Sequence, residues 1–527
     1  MMKLRKSRNG LPAICMIAVL NLSMTNVVGA DKKQVRTEAD TAFHVPSGQR
    51  QLFLDDHGIE KIENLRRTMH RPDKKGAVIR PDPQMGEDFI QTRTAPVWDS
   101  EKRVFKFWTL YGPGDLPGVS GYYESKDGLH WYKPIVGQIE YRGSRENNYI
   151  AVQTARGRRG ITMVVYDAAA PDPAQRFKSF LPNVGFAVSP DGIRWKMLDV
   201  PPVSSADNFS FSFDEKSHTY FAAVKRGGPH GRSVGLATST DFTNWTDHGL
   251  VFHADELDQK VGLENIKARY ADPTLHHPCY NIPATYNVDV YMKSIFVYEG
   301  LYIGMPAMYH QTGKVPGNWG GFDDLPISPH MLKLYRRDGD WAGFHDVQLT
   351  CSRDLKNWKR LGDRKPFIGS SRLGSGAYDT ANIKAPSRPV VRGDELWLYY
   401  TAGRYYGVVL DRPSHRLAGA ICLAVLRRDG FISLDAGEQE GTVLTRSFKI
   451  PGKRLFVNVD ASEGELHAEV LDMKGKVLAR SDSMKGDLAR AEVKWRQDRI
   501  AAFEGEVVSI RFTLRNAEFY SYWFDED

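Results

Sequence analysis

The chain has 527 residues, 41% of them hydrophobic and 26% charged, with 47 Gly, 28 Pro and 4 Cys. That length and balance predict two folded domains and exclude a disordered, collagenous or disulfide-stapled chain. The formal charge is +7, which on its face hints at an acidic partner.

The N-terminus explains most of that charge. Lys3, Arg5, Lys6 and Arg8 precede an apolar stretch from Leu11 to Leu22, and Val28-Gly29-Ala30 puts small residues at a cleavage position. Residues 1–30 read as a secretory signal peptide, so the mature protein is expected to be secreted or periplasmic. Those thirty residues carry four basic and no acidic side chains, and without them the formal charge falls to +3. No later stretch has the length and apolarity of a membrane span, and no Lys/Arg block points to nucleic acid. The expectation is therefore no membrane association after cleavage and no nucleic-acid partner.

From residue 45 onward the organising feature is an internal repeat. Ser125-Lys-Asp-Gly-Leu-His-Trp131 returns as Ser189-Pro-Asp-Gly-Ile-Arg-Trp195, Ser239-Thr-Asp-Phe-Thr-Asn-Trp245 and Ser352-Arg-Asp-Leu-Lys-Asn-Trp358. A degenerate fifth copy ends Arg428-Asp429-Gly430-Phe431. Apolar, aromatic runs separated by polar turns precede each copy, as in Val104 to Trp108, Tyr220 to Val224 and Leu396 to Tyr400. Strand, turn, strand, gap, strand and then an Asp turn closed by Trp describes a four-stranded antiparallel meander. In that reading the Asp caps its turn, the Ser braces it and the Trp fills the space between neighbouring sheets. Repeated four-stranded sheets predict a β-propeller, here of five blades over residues 45–435. Asp55 and Asp56 follow a short apolar strand expected to close the ring.

The longest interval between copies runs from Trp245 to Trp358 and contains loop-like segments at 255–283 and 311–329. Long loops inside a compact domain are usually functional, and Trp319 in the second is an aromatic of the kind that stacks on a sugar face. His276-His277 lies in the first, with no third ligand at metal spacing. Cys279, Cys351 and Cys422 form no C-x-x-C pair, so they allow one disulfide or buried thiols. Neither a metal nor a cofactor is expected.

Past Phe431 the pattern changes to short alternating strands, such as Leu455 to Val459, Leu466 to Leu471 and Val508 to Leu514. Residues 436–527 read as a β-sandwich. The expected fold class is all-β, a five-bladed propeller followed by a C-terminal β-sandwich.

These features resemble the five-bladed propeller glycosidases, the superfamily of glycoside hydrolase families 32 and 43, and more closely a group of secreted bacterial family-32-like proteins. The residues that carry the resemblance are Leu52-Phe-Leu-Asp-Asp56, the repeats, Gly393 to Tyr400, and Arg428 to Ala436. The resemblance implies an axial funnel that binds sugar, acids on different blades and a trailing sandwich. The nucleophile and Glu-Cys motifs of family 32 are missing, and Tyr270-Ala-Asp272-Pro273 only partly matches its R-D-P motif.

Placement in the propeller narrows the acids. Residues just before the innermost strand of each blade line the funnel, and glycoside hydrolysis needs two carboxyl groups in unlike environments. Asp207, Asp346 and Asp379 meet that test and form the expected catalytic set. Arg93, Asn208, Asp272 and Trp319 are the expected substrate-binding residues, with Asp88 able to contribute from the first blade. The reading is a secreted glycoside hydrolase acting on an external poly- or oligosaccharide. Its rivals are a non-catalytic carbohydrate-binding propeller and a polysaccharide lyase.

Overall fold

The computed structural model describes residues 43–525 apart from 88, 111, 114, 208, 325–328, 406–417 and 497–499. The expected signal peptide and Asn208 lie outside the described residues. Five separate antiparallel sheets form the blades of a propeller. Their innermost strands are Val97–Asp99, Val164–Tyr166, Ser210–Asp214, Asn287–Tyr298 and Asn382–Lys384, in chain order.

The repeat is the same object in all four full copies. In blade 1 the Ser125 hydroxyl accepts the Gly128 N–H at 2.8 Å, and the Asp127 carboxylate accepts the Leu129 and His130 N–H groups at 2.8 and 2.9 Å. The Trp131 ring N–H then donates to the Gly128 carbonyl at 2.9 Å. Trp195, Trp245 and Trp358 close their turns the same way, onto Gly192, Phe242 and Leu355. The fourth residue of each copy is left-handed, at φ 82° and 77° for Gly128 and Gly192 and 64° for both Phe242 and Leu355. Two copies use glycine there and two carry a side chain against its preference. The tryptophans bridge blades as expected. Trp131 packs on Tyr399 of blade 5 at 6.0 Å between ring centres, and Trp245 stacks on Phe186 of blade 2 at 4.5 Å.

The ring closes differently from the sequence expectation. The outermost strand of blade 5 is Asp73–Ile79, which pairs with Gly419–Arg427. The segment before it, expected within the propeller, instead joins the C-terminal sheet: Gln51–Leu52, Ile59–Glu63 and Arg66–Met69 pair with Ala517–Asp525, Gly441–Thr445 and Ile432–Ala436. The degenerate fifth repeat explains this. After Gly419–Arg427 the chain turns at Asp429 and leaves for the C-terminal sheet, so blade 5 needs its last strand from the N-terminal side.

The C-terminal body is an eleven-stranded sheet folded over on itself. Its long strand Arg454–Leu471 changes register between Ala461 and Leu466, pairing on one side of that bend with Ala517–Asp525 and on the other with Val507–Arg515. A strand that switches layers at a bulge is how one sheet makes both walls of a sandwich. The core between the walls holds Leu455, Val457, Phe512, Phe519 and Phe524, all fully buried.

The interval between blades 3 and 4 holds a helix, Glu256–Ala271, where a loop was expected. Asp255 caps it through the Asp258 N–H, and Asp258 returns the bond to the Asp255 N–H, a reciprocal capping box. Its apolar residues form no single stripe, so periodicity gave no helical signal. Cys351 and Cys422 are buried, and no disulfide forms among the described residues.

Candidate functional site

Four blades bring charged groups together at one mouth of the propeller, where Lys384 feels Arg93, Asp207, Arg232 and Lys225, and Asp289 feels Arg232 and Lys225. Blade 1 supplies Arg93, which is buried and donates to the Thr92 carbonyl at 2.9 Å and to Gln91 at 3.0 Å. Blade 3 supplies Asp207 from the loop before Ser210–Asp214. That loop is set by Ser205, whose backbone bonds to Asn183 and whose hydroxyl accepts the Lys225 N–H at 2.8 Å. The tall hairpin Thr219–Gly228 and Gly231–Ser239 adds Lys225 and Arg232. Blade 5 adds Lys384 at the end of its inner strand.

Blade 4 contributes most. Its strands align Asp289 with Tyr309, and Tyr309 with His345, so these three share a face of the sheet. Tyr291 lies two residues along that face, 4.7 Å from the His345 ring. Three cations surround Tyr291: the Lys384 ammonium at 3.3 Å from the ring centre, Lys225 at 5.4 Å and the Arg232 guanidinium at 5.7 Å. Such contacts are favourable because the ring face is electron-rich.

The two carboxyls at this mouth have unlike surroundings. Asp207 keeps 34% of its side chain exposed and meets Lys225 at 3.2 Å. Asp289 is 3% exposed. Among the described residues its Oδ2 accepts the Gln311 amide at 3.0 Å, Arg232 Nη1 at 3.1 Å and the Arg232 backbone N–H at 3.3 Å, while Oδ1 meets Arg232 Nη1 at 3.4 Å. Burial raises the Asp289 carboxyl above its ordinary value, and the charges of Arg232 and Lys225 only partly oppose it. Lys225 feels both carboxylates, so it stands between them electrostatically. Burial also holds His345 and Lys384 well below their ordinary values, each pushed further by neighbouring cations.

The other expected residues go elsewhere. Asp346 neighbours His345 in the strand Asp340–Val347 and therefore points to the opposite face. There it pairs with His310 at 2.9 Å, and a Cβ placed on Gly262 of the helix would touch that histidine. Asp379 meets Lys74 at 2.7 Å and the Tyr400 hydroxyl at 2.9 Å, over the face of blade 5. Asp272 caps the helix end and accepts the Thr274 N–H at 2.9 Å and its hydroxyl at 2.6 Å. Trp319 is half-buried against Tyr280 and Phe322 in a small core of its own loop. Of the expected set, Asp207 and Arg93 come together at the funnel. Asp289, Tyr291, Lys225, Arg232, His345 and Lys384 went unrecognised in the sequence. Among the described residues no cluster of three His, Cys, Asp or Glu side chains is arranged to hold a metal ion.

No family model matches the chain, and no curated protein matches it. Solved structures similar to it include a family 43 arabinoxylan arabinofuranohydrolase from Bacillus subtilis, at 9% identity and a TM-score of 0.35, covering 86% of this chain and 99% of that one. A family 32 β-fructofuranosidase from Bombyx mori is similar at 10% identity and a TM-score of 0.34, covering 85% and 94%. A member of the family 130 mannoside phosphorylases and hydrolases, at 14% identity and a TM-score of 0.35, covers 71% and 96%.

Proposed function

We propose that the protein is a glycoside hydrolase whose carboxyl pair is Asp207 and Asp289. The observation that carries this reading is the unlike state of the two groups at one funnel mouth. Asp289 is buried with a raised carboxyl pKa, and Asp207 is open to solvent beside a lysine. Hydrolysis asks for one protonated acid and one carboxylate flanking the bond. Asp289, with Oδ1 lightly engaged, is placed to hold the proton and give it to the departing sugar oxygen. Asp207, with the Lys225 ammonium 3.2 Å away, is the carboxylate that attacks the anomeric carbon or activates water. Tyr291 offers a ring for the sugar, and Arg93 and Arg232 offer donors to its hydroxyl groups. Secretion through the N-terminal signal belongs to the same proposal and puts the substrate outside the cytoplasm.

A lyase is the second reading, favoured by one observation. His345 and Lys384, whose charged forms burial disfavours, lie beside Tyr291 as candidate bases, with Arg232 near enough to hold a uronate carboxylate. Product analysis separates the two. Incubation with a panel of neutral and acidic oligosaccharides should release saturated reducing ends under the hydrolase reading. Products with the absorbance of a conjugated double bond would replace that reading with the lyase.

A further inference from the structure

A polar cavity that shares no lining residue with the charged groups of the funnel mouth lies over blade 5. It encloses about 500 Å³ and is lined by Lys74, Lys75, Arg80 and Arg404, with Asp379 as the one carboxylate. Asp379 is already neutralised, because Lys74 sits 2.7 Å from it and Tyr400 donates to it at 2.9 Å. Among the described residues Lys75 makes one ion-pair contact, at 3.9 Å with the exposed Asp73. Among the described residues neither Arg80 nor Arg404 meets a carboxylate. The cavity is therefore a cationic hollow rather than a salt-bridge network.

Its construction is specific. Strand Asp73–Ile79 shifts register twice against Gly419–Arg427. Gly76 lies at φ 85° with open space where a Cβ would sit. Bulges of this kind bend an edge strand and re-aim its side chains, and here Lys74, Lys75 and Arg80 all line the hollow. On the facing wall the Arg404 guanidinium lies 4.5 Å over the Tyr378 ring, which fixes its plane. The Ser371 hydroxyl accepts from Lys74 at 3.0 Å, and the backbone of Ser371 is tied to Asp379 at 2.9 Å. A guanidinium held flat beside ammonium groups and hydroxyls is suited to a planar carboxylate or a sulfate oxygen face.

We infer that this hollow binds the anionic groups of an acidic glycan, carboxylates or sulfate esters, at a site separate from the funnel. Asp379 serves there as a positioning residue that anchors Lys74. Binding is read without turnover, so the inference stands or falls apart from the hydrolase reading.

The test is calorimetric titration of the full chain with polygalacturonate, dextran sulfate, inorganic sulfate and neutral dextran, at low and high salt. The wild type should bind one or both polyanions and not neutral dextran, and the preferred polyanion identifies carboxylate or sulfate as the group recognised. Arg80→Gln and Arg404→Gln should each weaken that binding about tenfold, as loss of one charge-assisted contact does. Lys485→Gln, at an exposed lysine of the C-terminal body, should bind like wild type. If Arg404→Gln fails to fold, Lys75→Gln on the exposed strand takes its place in the comparison. Wild-type affinity in the arginine variants, or no polyanion binding by the wild type at low salt, would overturn the inference.

Discussion

Lys225 holds Asp207 at 3.2 Å, and the two residues come from different parts of blade 3, the hairpin and the loop before its inner strand. An adjacent cation stabilises the ionised carboxylate. Lys225→Met should therefore raise the Asp207 pKa, and the acid limb of the activity profile should move to higher pH. Profiles of kcat/KM against pH for both proteins check this. An unmoved acid limb would separate Lys225 from the chemistry.

The state of Asp289 sets the opposite limb. Burial raises its carboxyl pKa, and a general acid works only while protonated. Activity should fall as pH rises through that raised value. Gln311→Leu removes the 3.0 Å amide donor to Oδ2, which favours the charged form, so the basic limb should move to higher pH. The same profiles read this, and a shift to lower pH would contradict the role given to Asp289.

The repeated turns make the fold acid-sensitive. The Asn244 N–H lowers the Asp241 carboxyl below its ordinary value, with help from the Asn244 amide, and Asn357 does the same for Asp354. A lowered folded-state pKa contributes stability that is present above the unfolded value and lost as pH falls through the folded one. Denaturant midpoints should hold steady near neutral pH and drop below about pH 4. Asp241→Asn with Asp354→Asn should flatten that drop.

Gly192 tests the left-handed position of the turn. A Cβ there would stand 2.7 Å from the Trp108 ring, at φ 77°. Gly192→Ala should cost about 1–3 kcal/mol of stability in urea unfolding.

Asp429 ties the propeller to the C-terminal body. Its fully buried carboxylate accepts Arg50 at 2.5 Å, Tyr298 and Ser521 at 2.6 Å and Asn458 at 3.2 Å. Arg50→Met leaves that charge without its cation and should cost about 3–5 kcal/mol, read as a lower urea midpoint. An unchanged midpoint would mean that the hydroxyls and amide suffice.

The blades were legible because Ser, Asp and Trp at fixed spacing do local work: each turn bonds within seven residues. Ring closure was not legible, because the partner of Gly419–Arg427 lies some 340 residues upstream in Asp73–Ile79 and pairing over that distance leaves no local pattern. The site was half legible. Asp207 follows from the rule that residues before inner strands line the funnel. Asp289 does not follow from that rule, because it lies within the inner strand Asn287–Tyr298 rather than before it, and the preceding helix hid where the fourth blade begins. Asp346 was one residue from the funnel side: the strand alternation gives that face to His345. Asp379 is close to the funnel in sequence, but its side chain turns over blade 5 to Lys74.

The most direct measurement compares initial rates of reducing-end release on one cleaved glycan for wild type, Asp207→Asn, Asp289→Asn and Asp346→Asn, each checked for folding by thermal unfolding. Loss of about 10²–10⁴-fold in Asp207→Asn and Asp289→Asn, with Asp346→Asn within a few-fold of wild type, is the predicted result. Full activity in Asp289→Asn, or loss confined to Asp346→Asn, would contradict the assignment of the carboxyl pair.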